Sequence, residues 1–519
     1  MKTFHRRDVL RLLSLSTLAG AAGCVGQSTA SRPDAFSRQT TPGAGFVPDV
    51  EFTLIAAPVE VALLPGAPTR VWRFTGRLLK GPADTLQTLP GSYLGPVIRL
   101  RRGQQVRVRF ANQLGEDSIV HWHGLDVPDS ADGHPRLAIG SGQEYVYDFE
   151  VTNRAGTYWY HPHPHMHTGA QVYQGLAGLL LVSDADEDAL GLPSGEAELL
   201  CVLQDRRFDA RNQLVYQGGG QREMMNGFLG DRVLVSGQPQ PTREVDAGWH
   251  RVRLLNGSNA RIYKLVWSRN LPMTIIGGDG GLLERPVVQR TLTLAPGQRA
   301  DVLLDLTGLA AGTDVHLDSL AFPEADAGGV GMMGMMGNSA PVPNGAPLRM
   351  MTLRTRARTG SAFQVPDRLP TFDASWSPRP DARVRRVSLA FQRMQWMLAG
   401  RTFSMDEVAA DETVAAGSTH VWEFVNQSSG MGMGMEMEMA HPIHIHGRQF
   451  RVLERTGGRT TNALLDGIVD AGWRDTVLVL PGETVRTQVT FTSHPGLYLY
   501  HCHILEHEDM GMMRNFRVT

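Results

Sequence analysis

Four short segments, two early in the chain and two late, hold ten of its 18 histidines. They are His121-Trp122-His123, His161-Pro162-His163, His441-Pro442-Ile443-His444-Ile445-His446, and His501-Cys502-His503 with His507 close behind. Each adjoins a run that reads as a strand: Val106 to Phe110, Thr157 to Tyr160, Gln449 to Leu453, and Gly496 to Tyr500. On an extended backbone, side chains at i and i+2 share a face, so each His-x-His pair can converge on one place. A single such pair is more often solvated or satisfied within a core. Four of them together point instead to a fold that presents strand ends to a metal.

The last segment selects the metal. Imidazole alone suits copper, zinc, iron or nickel, whereas thiolate and thioether sulfur favour copper. Cys502 with histidines and a weak axial methionine is the ligand set of a blue-copper electron-transfer site. Cys502 should point to one face of its strand and His501 and His503 to the other. One strand end would then serve two metal sites, with Cys502 as the covalent bridge. No Cys-x-x-Cys supports a zinc finger. Cys201, in the apolar run Leu199 to Leu203, reads as a buried strand residue, and no disulfide is expected.

These segments resemble the four copper signatures of the multicopper oxidases, and the likeness covers nearly the whole mature chain. Within the laccase-like group it looks closest to the bacterial periplasmic cuprous oxidases of copper tolerance. His123 to Pro128, Leu254 to Arg261 and Asp279 to Leu283 extend the match. The resemblance implies four copper ions. His441, Cys502, His507 and Met512 would hold type 1 copper, and His121 and His444 type 2. One type 3 ion would be held by His123, His161 and His503, the other by His163, His446 and His501. Met510 and Met513 compete with Met512, which the family spacing favours. The implied reaction takes single electrons at type 1 and reduces O2 to water, with Cu(I) or small aromatic reductants as electron donors. Asp132 and Glu508 stand where the family places carboxylates near the trinuclear cluster, and are the candidate proton relays. A general laccase, or a copper-binding or scaffold protein without catalysis, are the alternatives.

Methionine is the second signal. Met332, Met333, Met335 and Met336 form one Gly-rich run; Met431, Met433, Met435, Glu436, Met437, Glu438 and Met439 form another, ending two residues before His441. Both read as flexible loops, and thioether sulfur selects Cu(I). These residues are the candidate substrate-copper site, beside a type 1 centre whose His507 edge is the expected electron entry. The cuprous oxidases carry an acid four residues before the first type 1 histidine; here Met437 stands there.

Gly 57 and Pro 30, many short strand-like runs and no sustained helical periodicity predict an all-β chain. The resemblance makes these three cupredoxin-like Greek-key β-sandwich domains, expected at 49–184, 185–358 and 384–519, with a linker at 359–383. The middle one reads as structural, its Arg261 and Asp279 regions as strand and turn. A trinuclear site should lie where the first and third meet. The net charge of −2 gives no electrostatic case for nucleic acid. Arg6-Arg7 followed by an apolar stretch, Leu12 to Ala22, reads as a twin-arginine signal over 1–24, too short to span a bilayer. A flexible lead follows over 25–48. The protein is thus expected to be exported to the periplasm or cell envelope as a monomer. It would touch a membrane only through lipid on Cys24, for which simple cleavage is an equal alternative.

Overall fold

The alternation of apolar and polar residues becomes pairs of facing sheets. The computed structural model describes residues 43, 45–217, 221–328, 340–357, 363–370, 376–426, 439–491 and 494–519. The signal segment, Cys24 and every methionine and glutamate of the two Gly-rich runs except Met439 lie outside the described residues.

The strand Val50–Val61 pairs antiparallel with Thr69–Lys80 and parallel with Gln105–Asn112, which continues to Glu144–Glu150. Phe52 and Leu54 point into the core with Val106, Val108 and Phe110. Between them Arg107 is drawn in by Asp148, through hydrogen bonds of 2.6 and 2.9 Å. A five-stranded sheet faces this one and ends with Gly156–Pro162 beside Val120–His123. The end of the expected lead is tied to this sandwich: Gly43 N donates to Asp148, and Arg107 donates to Phe46 O.

Two further sandwiches follow, seven strands facing five and then five facing five. Both repeat the parallel pairing of the first. Glu198–Arg206 lies parallel to Trp249–Asn256, and Arg383–Gln392 to Thr419–Val425. The chain is therefore all-β, with three cupredoxin-like sandwiches in series. Arg261 is structural, as its surroundings suggested: it donates to Asp205 Oδ2 and to the carbonyls of Gly230, Val342 and Pro343.

Register places the histidines level with one another. In the first sandwich His121 lies opposite His161, and in the third His444 lies opposite His501 with Ile443 opposite Cys502. The short helix Leu505–Asp509 follows and carries His507 and Glu508.

Candidate copper centre

Eight histidines meet where the first and third sandwiches touch, all of them excluded from solvent. His121 stacks on His446 and His123 on His444, each pair with ring centroids 3.7 Å apart. Nε2 of His121 lies 3.4 Å from Nε2 of His444, and Nε2 of His501 lies 3.0 Å from that of His446 and 3.4 Å from that of His163. His161 and His503 complete the group, with centroids 5.5 Å apart. On the other face of the same strand end, Cys502 Sγ lies 3.4 Å from His441 Nδ1 and 3.7 Å from His507 Nδ1. Met512 is buried in the core cluster that holds Cys502. Met513 is instead paired in register with His501, and Met510 is only partly buried.

These rings suit a metal. A ligating imidazole must be neutral, with one nitrogen free and the other fixed by a hydrogen bond. Burial pushes His161 and His441 down to about 3 and His163 down to about 4, and holds His121, His123, His446, His503 and His507 well below the usual range. Carbonyls and carboxylates hold the outer nitrogens: His121 Nδ1 contacts Asp132 O, His444 Nδ1 contacts Asp475 O, and His123 Nε2 contacts Asp475 Oδ1. His123 Nδ1, His161 Nε2, His163 Nδ1 and both nitrogens of His503 are buried without a hydrogen-bond partner. Each such atom costs about 1–3 kcal/mol, so their concentration at one place fits a bound ion. The Cys502 thiol, pushed up by burial, completes a soft donor set that fits copper.

Two carboxylates border the histidines. Asp132 Oδ2 lies 2.8 Å from His446 Nδ1; burial, helped by Asp129, raises this carboxyl well above its usual range. Glu508 lies 3.1 Å from His501 Nδ1 and 3.4 Å from His163 Nε2. Burial alone would raise Glu508, but His163 and His501 outweigh it and hold the carboxyl low. Other histidines stay apart. His165 and His167 are exposed, and His134 is buried against Asn515, 2.9 Å from its Oδ1.

Two features depart from the sequence reading. The His507 edge is covered: its Nε2 contacts Met225 O at 2.9 Å, on the helix Gln221–Asn226, and Trp396 stacks on its ring at 4.2 Å. The middle sandwich also reaches the site. Gly297, held at φ +82°, lies so close to His503 that a Cβ there would sit 2.9 Å from the ring. Arg299 binds Asp475, and Asp279 accepts from Arg299 N at 2.7 Å. None of Asp475, Arg299 or Met225 belongs to a short motif, so the sequence carried no local signal for them.

Two multicopper oxidase family models match residues 73–187 and 376–519. The multicopper oxidase mco of Staphylococcus aureus is 31% identical over 429 residues, covering 83% of each chain. The chain belongs to the multicopper oxidase family. A laccase of Bacillus stratosphericus is 30% identical, over 83% of this chain and 90% of that protein. Among solved structures, the McoA multicopper oxidase of Aquifex aeolicus superposes with a TM-score of 0.75 at 33% identity, covering 91% of this chain and 97% of that one. The protein is therefore a laccase-like oxidoreductase, and its buried histidine groups fit the copper that the family uses.

Proposed function

We propose that this multicopper oxidase oxidises Cu(I), one electron at a time, and returns the electrons to O2 as water. One observation carries the reading: Cys502 lies between His441 and His507 while its neighbours His501 and His503 lie in the other cluster, so one strand end joins both sets covalently. Bound copper would supply one-electron redox chemistry at the cysteine set and a place for dioxygen at the histidine set. His441, Cys502, His507 and Met512 form the type 1 set. His121 and His444 form type 2, and the type 3 sets are His123, His161, His503 and His163, His446, His501. Asp132, kept protonated by burial, and Glu508, kept ionised by His163 and His501, border the histidine set 2.8 Å from His446 Nδ1 and 3.1 Å from His501 Nδ1, and serve as the proton donor and the proton acceptor of a relay toward it.

Cu(I) is preferred to bulky phenols because the helix Gln221–Asn226 and Trp396 cover the His507 edge. The residues flanking the methionine-rich runs also lie side by side. Gly328 bridges Met439, and Ala440 N donates to Ala327 O at 2.8 Å. Those described flanks meet next to His441, and the thioether sulfur that the two runs carry in sequence selects Cu(I). Likeness to a laccase favours a second reading, oxidation of phenols and aromatic amines. Arg6-Arg7 and the apolar run after it support export to the cell envelope.

Copper content and O2 uptake on adding Cu(I), then a phenol, test the proposal. About four coppers per chain with uptake favouring Cu(I) is the expected result. Uptake with phenol alone would move the function to laccase, and full copper without uptake would leave a binding protein.

A further inference from the structure

We infer that Arg299, from the middle sandwich, is a positioning residue that sets which nitrogens of His123 and His444 face the metal site. The inference rests on the copper reading above. Arg299 opens the strand Arg299–Asp305 and is wholly buried. A guanidinium has five N–H donors in a fixed fork, and here all five are used. Nε donates to Thr157 O at 3.0 Å, in the first sandwich. Nη1 donates to Gly297 O at 2.9 Å and to Asp475 Oδ1 at 2.8 Å. Nη2 donates to Asp279 O at 2.9 Å and to Asp475 Oδ2 at 2.5 Å. One side chain thus binds all three sandwiches at a single point.

Asp475 passes this constraint to the histidines. Its Oδ1 also accepts from Thr476 Oγ1 at 2.9 Å and lies 3.0 Å from His123 Nε2, while its backbone O lies 2.8 Å from His444 Nδ1. With both oxygens engaged by the guanidinium, Asp475 is an acceptor for imidazole N–H and not a ligand, although His123, His444 and Asp475 stand close enough to form a metal-like group. Nε2–H on His123 leaves Nδ1 free, and Nδ1–H on His444 leaves Nε2 free. His123 Nδ1 is without a partner, and His444 Nε2 faces His121. Only a bidentate fork holds the carboxylate in that plane, so lysine cannot replace it.

The test compares the wild-type protein with R299K and R299A, reading copper retained against a graded chelator, the blue cysteine–copper band, and kcat and KM with a reductant. R299K is expected to keep the blue band while its histidine-held copper is released about 10–100-fold more readily, the usual effect of losing a partner to a ligating histidine. Its kcat should fall with KM for the reductant unchanged. Unchanged copper retention in R299K would overturn the inference, as would loss of the blue band in step with unfolding. If R299A does not fold, R299K, which keeps the charge, still decides. Failure of the wild-type protein to bind copper would overturn the functional reading as well; full wild-type copper with an indifferent R299K would overturn the inference alone.

Discussion

Single atoms decide whether this strand end can serve two sites. Cys502→Ser keeps the volume but replaces the soft sulfur, so the blue band and O2 uptake should both vanish while copper stays at the histidine set; absorption and metal analysis check this. Gly297 shows the opposite constraint, where nothing larger than hydrogen fits. At φ +82° an alanine is strained, and its Cβ would meet the His503 ring at 2.9–3.1 Å. Gly297→Ala should lower stability by about 1–3 kcal/mol and deplete the histidine-held copper before the blue band weakens. Chelator titration with denaturant melts separates the two effects. The histidine pairs were legible because their spacing is local. Gly297 was not, since its reason is a ring 206 positions along the chain.

At the scale of an element, the helix Leu505–Asp509 does the most with the fewest residues. Successive side chains of a helix turn by about 100°, so four polar neighbours face four directions. Glu506 is held by Tyr216, Asn259 and Phe228 N of the middle sandwich, and His507 faces Cys502. Glu508 reaches His163 and His501, and Asp509 accepts from Thr168 N at 3.0 Å and Gly169 N at 2.9 Å in the first sandwich. Asp509→Ala leaves those two buried donors unmet, at about 1–3 kcal/mol each. The expected outcome is a lower unfolding midpoint with O2 uptake reduced and the visible band little changed. Calorimetry beside an uptake assay would show it. The family resemblance gave His507 and Glu508 their expected places. It gave nothing on Glu506 or Asp509, whose partners lie on other sandwiches.

For the whole molecule, the sandwiches are joined by buried charge. Glu198 of the second accepts from Arg99 of the first at 2.9 Å and from Arg253 at 2.6 Å. Burial would raise Glu198, but Arg253 and Arg99 outweigh it and pull the carboxyl down to about 2. A carboxyl depressed in the folded state contributes stability that is fully present above its unfolded value, about 4.3, and is lost as pH falls toward about 2. The contribution is roughly 3 kcal/mol. Acid unfolding of Glu198→Gln should therefore be flatter between about pH 4.3 and 2 than that of the wild-type protein, with lower stability at neutral pH. Denaturant melts across that range would check it. The threefold parallel pairing is also a whole-molecule fact. It repeats in structure without a matching motif, because a pairing register is set by backbone hydrogen bonds that many side-chain sequences allow.

The sequence by itself determined what is periodic or adjacent: an all-β chain, histidine pairs on shared strand faces, and a cysteine turned away from its neighbouring histidines. Those follow from the two-residue repeat of a strand and the softness of sulfur. Tertiary structure alone decided how the ligands are held and who reaches them. It laid the Met225 carbonyl over His507, brought Asp475 to His123 from 352 residues away, and drew Arg299 out of a sandwich that reads as inert. Such contacts are fixed by how finished domains pack, and no local pattern encodes that geometry.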